Sequence, residues 1–254
     1  VSKLLAISGR EIRAAFGHPL AYVAIAVFLA VMGFFFWLLL LVFAREYPQM
    51  ASSSYAAPGF TVNDQILRPL FGNMAVILLI VTPALSMRLF AEERRQGTME
   101  LLVTSPVGAA QIVGGKFLGG LAIGMVMLSA TLPYFVVLAR KSTPDWAVIG
   151  CGYLAMFLVM GVYLAVGLLM SALTDNQIIA YFLAFFVGIG LWVVGWLADV
   201  GAGGADLARF LSMQSHLEDF ARGILDTSHL VYFLSLATAF LFLAVRVVES
   251  QRWR

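Results

Sequence analysis

Ala91-Glu-Glu-Arg-Arg-Gln-Gly-Thr-Met-Glu-Leu-Leu-Val-Thr-Ser-Pro106 is a charged island between two apolar runs long enough to cross a bilayer. Of the 254 residues around and within it, 61% are hydrophobic and only 12% carry charge. Glu92, Glu93, Arg94 and Arg95 stand out against that background, because a charge at the centre of a bilayer costs about 2.5–3.5 kcal/mol even on the mildest insertion scale. They must face water or protein. The flanking runs, Pro69–Ala91 and Ile112–Ala139, satisfy the requirement of about 20 apolar residues per crossing. An island so placed sets the fold as helices threaded through a membrane, and it reads as a docking element at one surface.

The same criterion, applied outward, gives four more spans: Pro19–Phe43, Trp146–Leu173, Gln177–Ala198 and His229–Val248. The expectation is an all-α integral membrane protein with six transmembrane helices and one membrane domain over residues 1–254. A mean hydropathy of +0.93 leaves no room for a substantial soluble domain. The first apolar run is too long for a cleavable signal peptide, and no small-x-small site follows Phe43. A single cysteine, Cys151, excludes an intramolecular disulfide and a cysteine-rich metal site. A net charge of +2 is too small and scattered for nucleic-acid binding.

Basic residues set the orientation. With six spans both termini share a side, and that side holds Lys3, Arg10, Arg13, Arg88, Arg94, Arg95, Lys116, Arg246, Arg252 and Arg254. These ten compare with six on the other side (Arg45, Arg68, Arg140, Lys141, Arg209, Arg222), which together make the chain's 16. Both termini are expected to be cytoplasmic, in a cell (inner) membrane.

Three elements are expected outside the lipid. Residues 2–17 carry Lys3, Arg10 and Arg13 on one face and Leu5, Ile12 and Phe16 on another, which suits an interfacial elbow helix with its basic face toward lipid phosphates. The plainer alternative is a basic lead-in to the first span. In the island (92–106), Gly97 can take the left-handed geometry that ends a helix. Thr98 then caps a very short helix, with Glu100 in its first turn and Leu101, Leu102 and Val103 as an apolar contact face. Ser105-Pro106 restarts the chain as N-cap and first residue of the third span. The alternative is an ordinary turn between spans.

On the other side, residues 199–228 form the longest interruption. Ser215 and Glu218 have capping-box spacing, and Leu217, Phe220, Ala221 and Ile224 follow at i, i+3, i+4 and i+7. Glu218, Asp219, Arg222 and Asp226 lie elsewhere around that amphipathic helix. It is either an outer gate or partner-docking helix, or a passive one lying on the lipid interface.

Gly115-x-x-x-Gly119 and Gly120-x-x-x-Gly124 invite close helix packing, in the same chain or another. Catalytic chemistry is missing. Ala110–Phe117 lacks the first glycine of a phosphate loop and ends in Phe where Ser or Thr must reach magnesium. Lys116 in that run reads as an anchor near the headgroups. His18, His216 and His229 have no metalloprotease spacing, no metal site is expected, and no G-x-S-x-G occurs. Acidic residues avoid mid-span, Asp175 lying in the tight turn Thr174-Asp-Asn176, which argues against a proton-coupled transporter.

Glu92–Pro106 resembles the signature of type-2 ABC transporter permeases, near the pattern E-x-x-x-G-T-x-E-x-L-L-x-[ST]-P. Leu173–Ile179 and His216–Asp226 resemble two further blocks of the branch associated with gliding motility, and the likeness covers essentially the whole chain, including the final run Phe242–Glu249. The resemblance implies the type-2 exporter fold: six helices, an elbow at residues 2–17 and a coupling helix within residues 92–106. That helix would insert into a separate ABC ATPase, with Glu92, Glu93, Arg94, Arg95, Gly97, Thr98, Glu100, Leu101, Leu102, Asp175 and Asn176 forming the coupling surface. The outer helix would contribute Ser215, Leu217, Glu218, Phe220, Arg222 and Ile224. A second permease would pair with this one, as a homodimer or as a related chain, in the gliding branch with a large extracytoplasmic domain. No cofactor would bind this chain and no catalysis would occur on it; ATP and magnesium would sit on the partner. The implied function is the permease subunit of an ATP-driven transporter. An assembly or mechanotransmission subunit without a solute path is the second reading, and a secondary transporter the third.

Overall fold

The computed structural model of the chain describes residues 2–17, 19–52, 61–98, 107–140, 142–199, 208 and 210–251. Its elements are α1 (Ser2–Gly17), α2 (Pro19–Ser52), α3 (Arg68–Ser86), α4 (Arg88–Arg95), α5 (Ala109–Ser129), α6 (Leu132–Ala139), α7 (Trp146–Leu173), α8 (Gln177–Asp199), α9 (Met213–Ala221) and α10 (Thr227–Ser250). A π-helical turn, Asn63–Leu67, leads into α3. Six helical stretches are long and apolar enough to cross a membrane: Ala21–Glu46, Asn63–Arg95, Ala109–Ala139, Trp146–Leu173, Gln177–Gly195 and Thr227–Ser250. The six expected spans are therefore present, the second of them longer at both ends than the sequence reading. We call the end where α1 lies and α10 finishes the proximal end, and the opposite end distal.

α7 is the axis of the bundle. Most of its membrane window is buried, whereas the windows of α2, α8 and α10 are largely open to their surroundings. It packs against α3, α4, α5, α8, α9 and α10. Its borders match the sequence reading at both ends because each has a local cause. Asp145 accepts a hydrogen bond from the Ala147 amide at 2.9 Å, and Thr174 turns extended after Leu173. A helix surrounded by other helices is apolar on nearly every side, and α7 keeps only isolated hydroxyls such as Tyr153 and Ser171.

Two spans are broken where they pass α7. The second contains Pro83, which lacks an amide, and yields at Met87 between α3 and α4. Ser171 of α7 fills the break: its Oγ accepts from the amides of Phe90 and Ala91, both at 3.0 Å, and donates to the Met87 carbonyl at 2.8 Å. The third span breaks at Ala130-Thr131, just before Pro133. There Thr131 Oγ1 donates to Leu128 O and meets the Tyr153 hydroxyl of α7 at 2.6 Å.

The paired glycines of α5 face two neighbours in this same chain. A side chain at Gly115 or Gly119 would press on Ile7 and Glu11 of α1. At Gly120 or Gly124 it would press on Leu164 and Met160 of α7. Small residues thus let α5 lie between the elbow and the axis. The start of α5 differs from the sequence reading. The helix begins at Ala109 after an extended Gly108, beyond Ser105-Pro106, which lie outside the described residues.

Candidate functional site

The proximal charged cluster begins with helix termination. α4 ends as expected at Gly97, whose φ is +68°. The Thr98 amide bonds back to Glu93 O at 3.0 Å and the Gly97 amide to Arg94 O at 3.1 Å, the two closures of a Schellman motif. Thr98 also donates its hydroxyl to Glu93 O at 3.2 Å, so here it closes α4. Whether it also caps a following helix falls on residues 99–106, outside the described residues, as do Glu100, Leu101 and Leu102.

With α4 ended there, Glu93 points back into the bundle, and a buried cation waits for it. Lys116 of α5 is only 1% exposed, and its Nζ lies 2.9 Å from Glu93 Oε1 and 3.0 Å from Glu11 Oε1 of α1. Arg10 Nη2 contacts the same two oxygens at 3.0 and 3.1 Å. The Phe90 ring adds a cation–π contact to Lys116, 5.1 Å from nitrogen to centroid. Two cations and two carboxylates thus join α1, α4 and α5. The expectation that Lys116 is a headgroup anchor is corrected: it sits on the glycine-rich face of α5, which is turned inward, so its charge is desolvated and must be paired. Arg10, expected on a lipid-phosphate face, also turns to Glu93.

The other proximal candidates spread along the surface. Arg94 reaches Asp175 in the α7–α8 turn at 3.2 Å, tying that turn to the island. Glu92 is half-buried and accepts from Gln96 at 3.3 Å, while Arg95 is exposed. Asn176 acts locally, at the start of α8. Its Oδ1 accepts from the amides of Ile178 at 2.9 Å and Ile179 at 3.4 Å.

The distal candidates are arranged differently from the sequence reading. The N-cap of α9 is Ser212, whose Oγ accepts from the Ser215 amide at 3.3 Å. Ser215 is inside the helix, so the capping box Ser215–Glu218 is not formed. Ile224 is not on the helix face either. Gly223, at φ +82°, ends α9 with a second Schellman closure, and Ile224 stands exposed beyond it. Leu217 and Phe220 are buried against the core, and α9 packs on α3, α7 and α8. Glu218 lies 3.8 Å from Arg68 and 4.0 Å from Arg222, a loose exposed pairing.

Behind α9 is a cluster that no sequence spacing reveals. His216 and His229 approach Nδ1 to Nδ1 at 2.6 Å, across the turn between α9 and α10. His216 Nε2 is 3.0 Å from the Phe210 carbonyl, which can only accept, so that nitrogen carries a proton. His229 Nε2 is 3.1 Å from Asp219 Oδ2. A proton on His216 Nε2 leaves its Nδ1 free to accept from His229 Nδ1. Burial is the leading cause that holds the His216 pKa below the ordinary histidine value, with the neighbouring His229 pushing the same way.

A family model described as ABC-2 family transporter protein matches residues 6–248, from within α1 to near the end of α10. No curated protein matches the chain significantly. The matched region contains the six spans, the charged island and the ionic cluster that binds the island to the elbow. The chain belongs to the ABC-2 family of transporter proteins and is a multi-pass membrane protein of the permease type, a family whose partner is an ABC ATPase.

Proposed function

We propose that this permease couples ATP hydrolysis on a separate ATPase subunit to export or conformational work across the membrane, with residues 92–106 as the contact. ATP and magnesium belong to that partner. Both termini and the island face the cytoplasm in this reading, and a second permease completes the pathway. The family resemblance supports the pairing and the gliding-motility branch. The observation that carries the coupling role is the position of Glu93. It faces inward just before the Gly97 turn, and it meets Lys116 and Arg10, both of which also hold Glu11. A force on the island would therefore move α1 and α5 as well as α4. Ser171 at the Met87 break offers the second span a hinge and passes the same movement to α7.

The test is Gly97→Pro, made in the native complex. Proline cannot adopt φ +68°, so the turn after α4 must change while the six spans remain. The expected outcome is normal membrane insertion with loss of ATPase copurification or of ATP-driven function. Normal values of both would remove the island from the coupling role. For the distal helix, burial of Phe220 favours a fixed gating or docking part over a passive interfacial one. Phe220→Ala should uncouple ATPase activity from function, or release a partner, at normal membrane levels.

A further inference from the structure

At the proximal end a cavity of about 420 Å³ lies between α1, the start of α2, the end of the second span and α5. Its walls divide by chemistry. Ala21, Leu85 and Ile123, on the membrane-ward side, are apolar, while Arg88, Glu92 and Glu93 present charge beside the mutually paired Arg10, Glu11 and Lys116.

Two of those groups have unmet demands. Among the described residues, the Arg88 side chain has no hydrogen-bond or ion-pair partner, although it is half-buried. Glu93 Oε2 is buried with no hydrogen-bond partner, because Lys116 and Arg10 both engage Oε1. The Arg88 and Glu93 side chains thus line one cavity without pairing to each other, although Oε2 itself is closed to solvent. A buried acceptor left without a donor is costly, and a guanidinium fork is best met by a phosphate or carboxylate.

We propose that this cavity binds the headgroup of a primary-amine phospholipid, with its phosphate on Arg88 and its ammonium beside Glu92 on the Glu93 carboxylate, which turns Oε2 toward it. A phosphate alone would answer Arg88 but lie against two carboxylates. An ammonium alone would leave Arg88 bare. The zwitterion answers both. A choline headgroup carries the same charges but has no N–H, so it cannot donate to Oε2. Soluble phosphoethanolamine shares the polar chemistry, but only a lipid extends apolar chains past Leu85 and Ile123 into the bilayer. Bound there, the lipid fills the space between the elbow and the island. The site depends on the membrane position of these helices alone, so it stands or falls separately from the ATPase contact.

The experiment is native mass spectrometry of the whole protein, released gently from nanodiscs holding equal amounts of phosphatidylethanolamine, phosphatidylcholine and phosphatidylglycerol with matched chains. Wild type should retain phosphatidylethanolamine about tenfold over phosphatidylcholine, equivalent to about 1.4 kcal/mol. Arg88→Gln removes no internal contact and should abolish that retained lipid. Glu93→Gln should erase the preference for ethanolamine over choline while phosphate-dependent retention persists. Equal retention of the two zwitterionic lipids, or retention unchanged in Arg88→Gln, would overturn the proposal. Binding of soluble phosphoethanolamine in place of an enriched lipid would overturn the lipid assignment.

Discussion

The proximal and distal ends of the bundle each bury polar groups among helices, but they complete them differently. At the distal end, His216, His229, Asp219 and the Phe210 carbonyl are joined through one chain of polar pairs, and the fully buried Phe220 packs beside them. That end is closed by its own chain. At the proximal end, Lys116 is satisfied, yet Glu93 Oε2 and Arg88 are not, and Arg95 and Gly97 lie at the surface. A polar network that uses up its valences holds a helix in place. One that leaves valences open next to a turn is suited to contact with something else.

Breaking the proximal network should have the largest effect. Lys116→Met keeps most of the volume but leaves two largely buried carboxylates with the exposed Arg10 alone to balance them, and should destabilise the protein by up to about 3–5 kcal/mol. The thermal unfolding midpoint in detergent reads this. Adding Glu11→Gln and Glu93→Gln to Lys116→Met should recover much of the loss, because the destabilisation arises from unpaired charge. A triple variant no better than Lys116→Met would mean that Lys116 acts by packing alone.

A smaller effect sharpens the distal half of the comparison. Ser212→Ala should cost about 0.5–2 kcal/mol through loss of the α9 cap, whereas Ser215→Ala should change stability by less than about 0.5 kcal/mol. The reverse ranking would restore the capping box. The smallest effect is that of pH. Burial lowers the His216 pKa in the folded protein, so the unfolded chain binds the extra proton first. The contribution from His216 is present above the unfolded value of about 6.5 and is lost as pH falls toward and through the folded value. Thermal stability should therefore drop on acidification through this window, and His216→Gln should remove that part of the drop.

Much of the fold was legible because membrane crossing imposes a length and a composition that few other constraints can disguise. The limits of α7 were legible too, since Asp145 and Thr174 mark them locally. Gly97 was legible because its turn needs a left-handed residue. The capping serine was not. Ser212 and Ser215 are both capping types, and Glu218 completes the pattern only for the second. Beginning α9 at Met213 buries Met213, His216, Leu217 and Phe220 together, so tertiary packing chose the first serine. Lys116 could have been found: it shares a face with Gly115, Gly119 and Gly120, and a cation on a packing face needs a partner. The contact of His216 with His229 could not, since it is made across a turn and has no periodic signal.

The most direct test of ATPase docking at the proximal end places a photoreactive amino acid at Arg95, on the proximal surface, or at Ile224, on the distal surface, in cells carrying the native complex. Irradiation and mass analysis identify what each position touches. The expected result is an adduct between position 95 and an ABC ATPase, and none between position 224 and that ATPase. An ATPase adduct from position 224, with none from position 95, would contradict the proximal docking role.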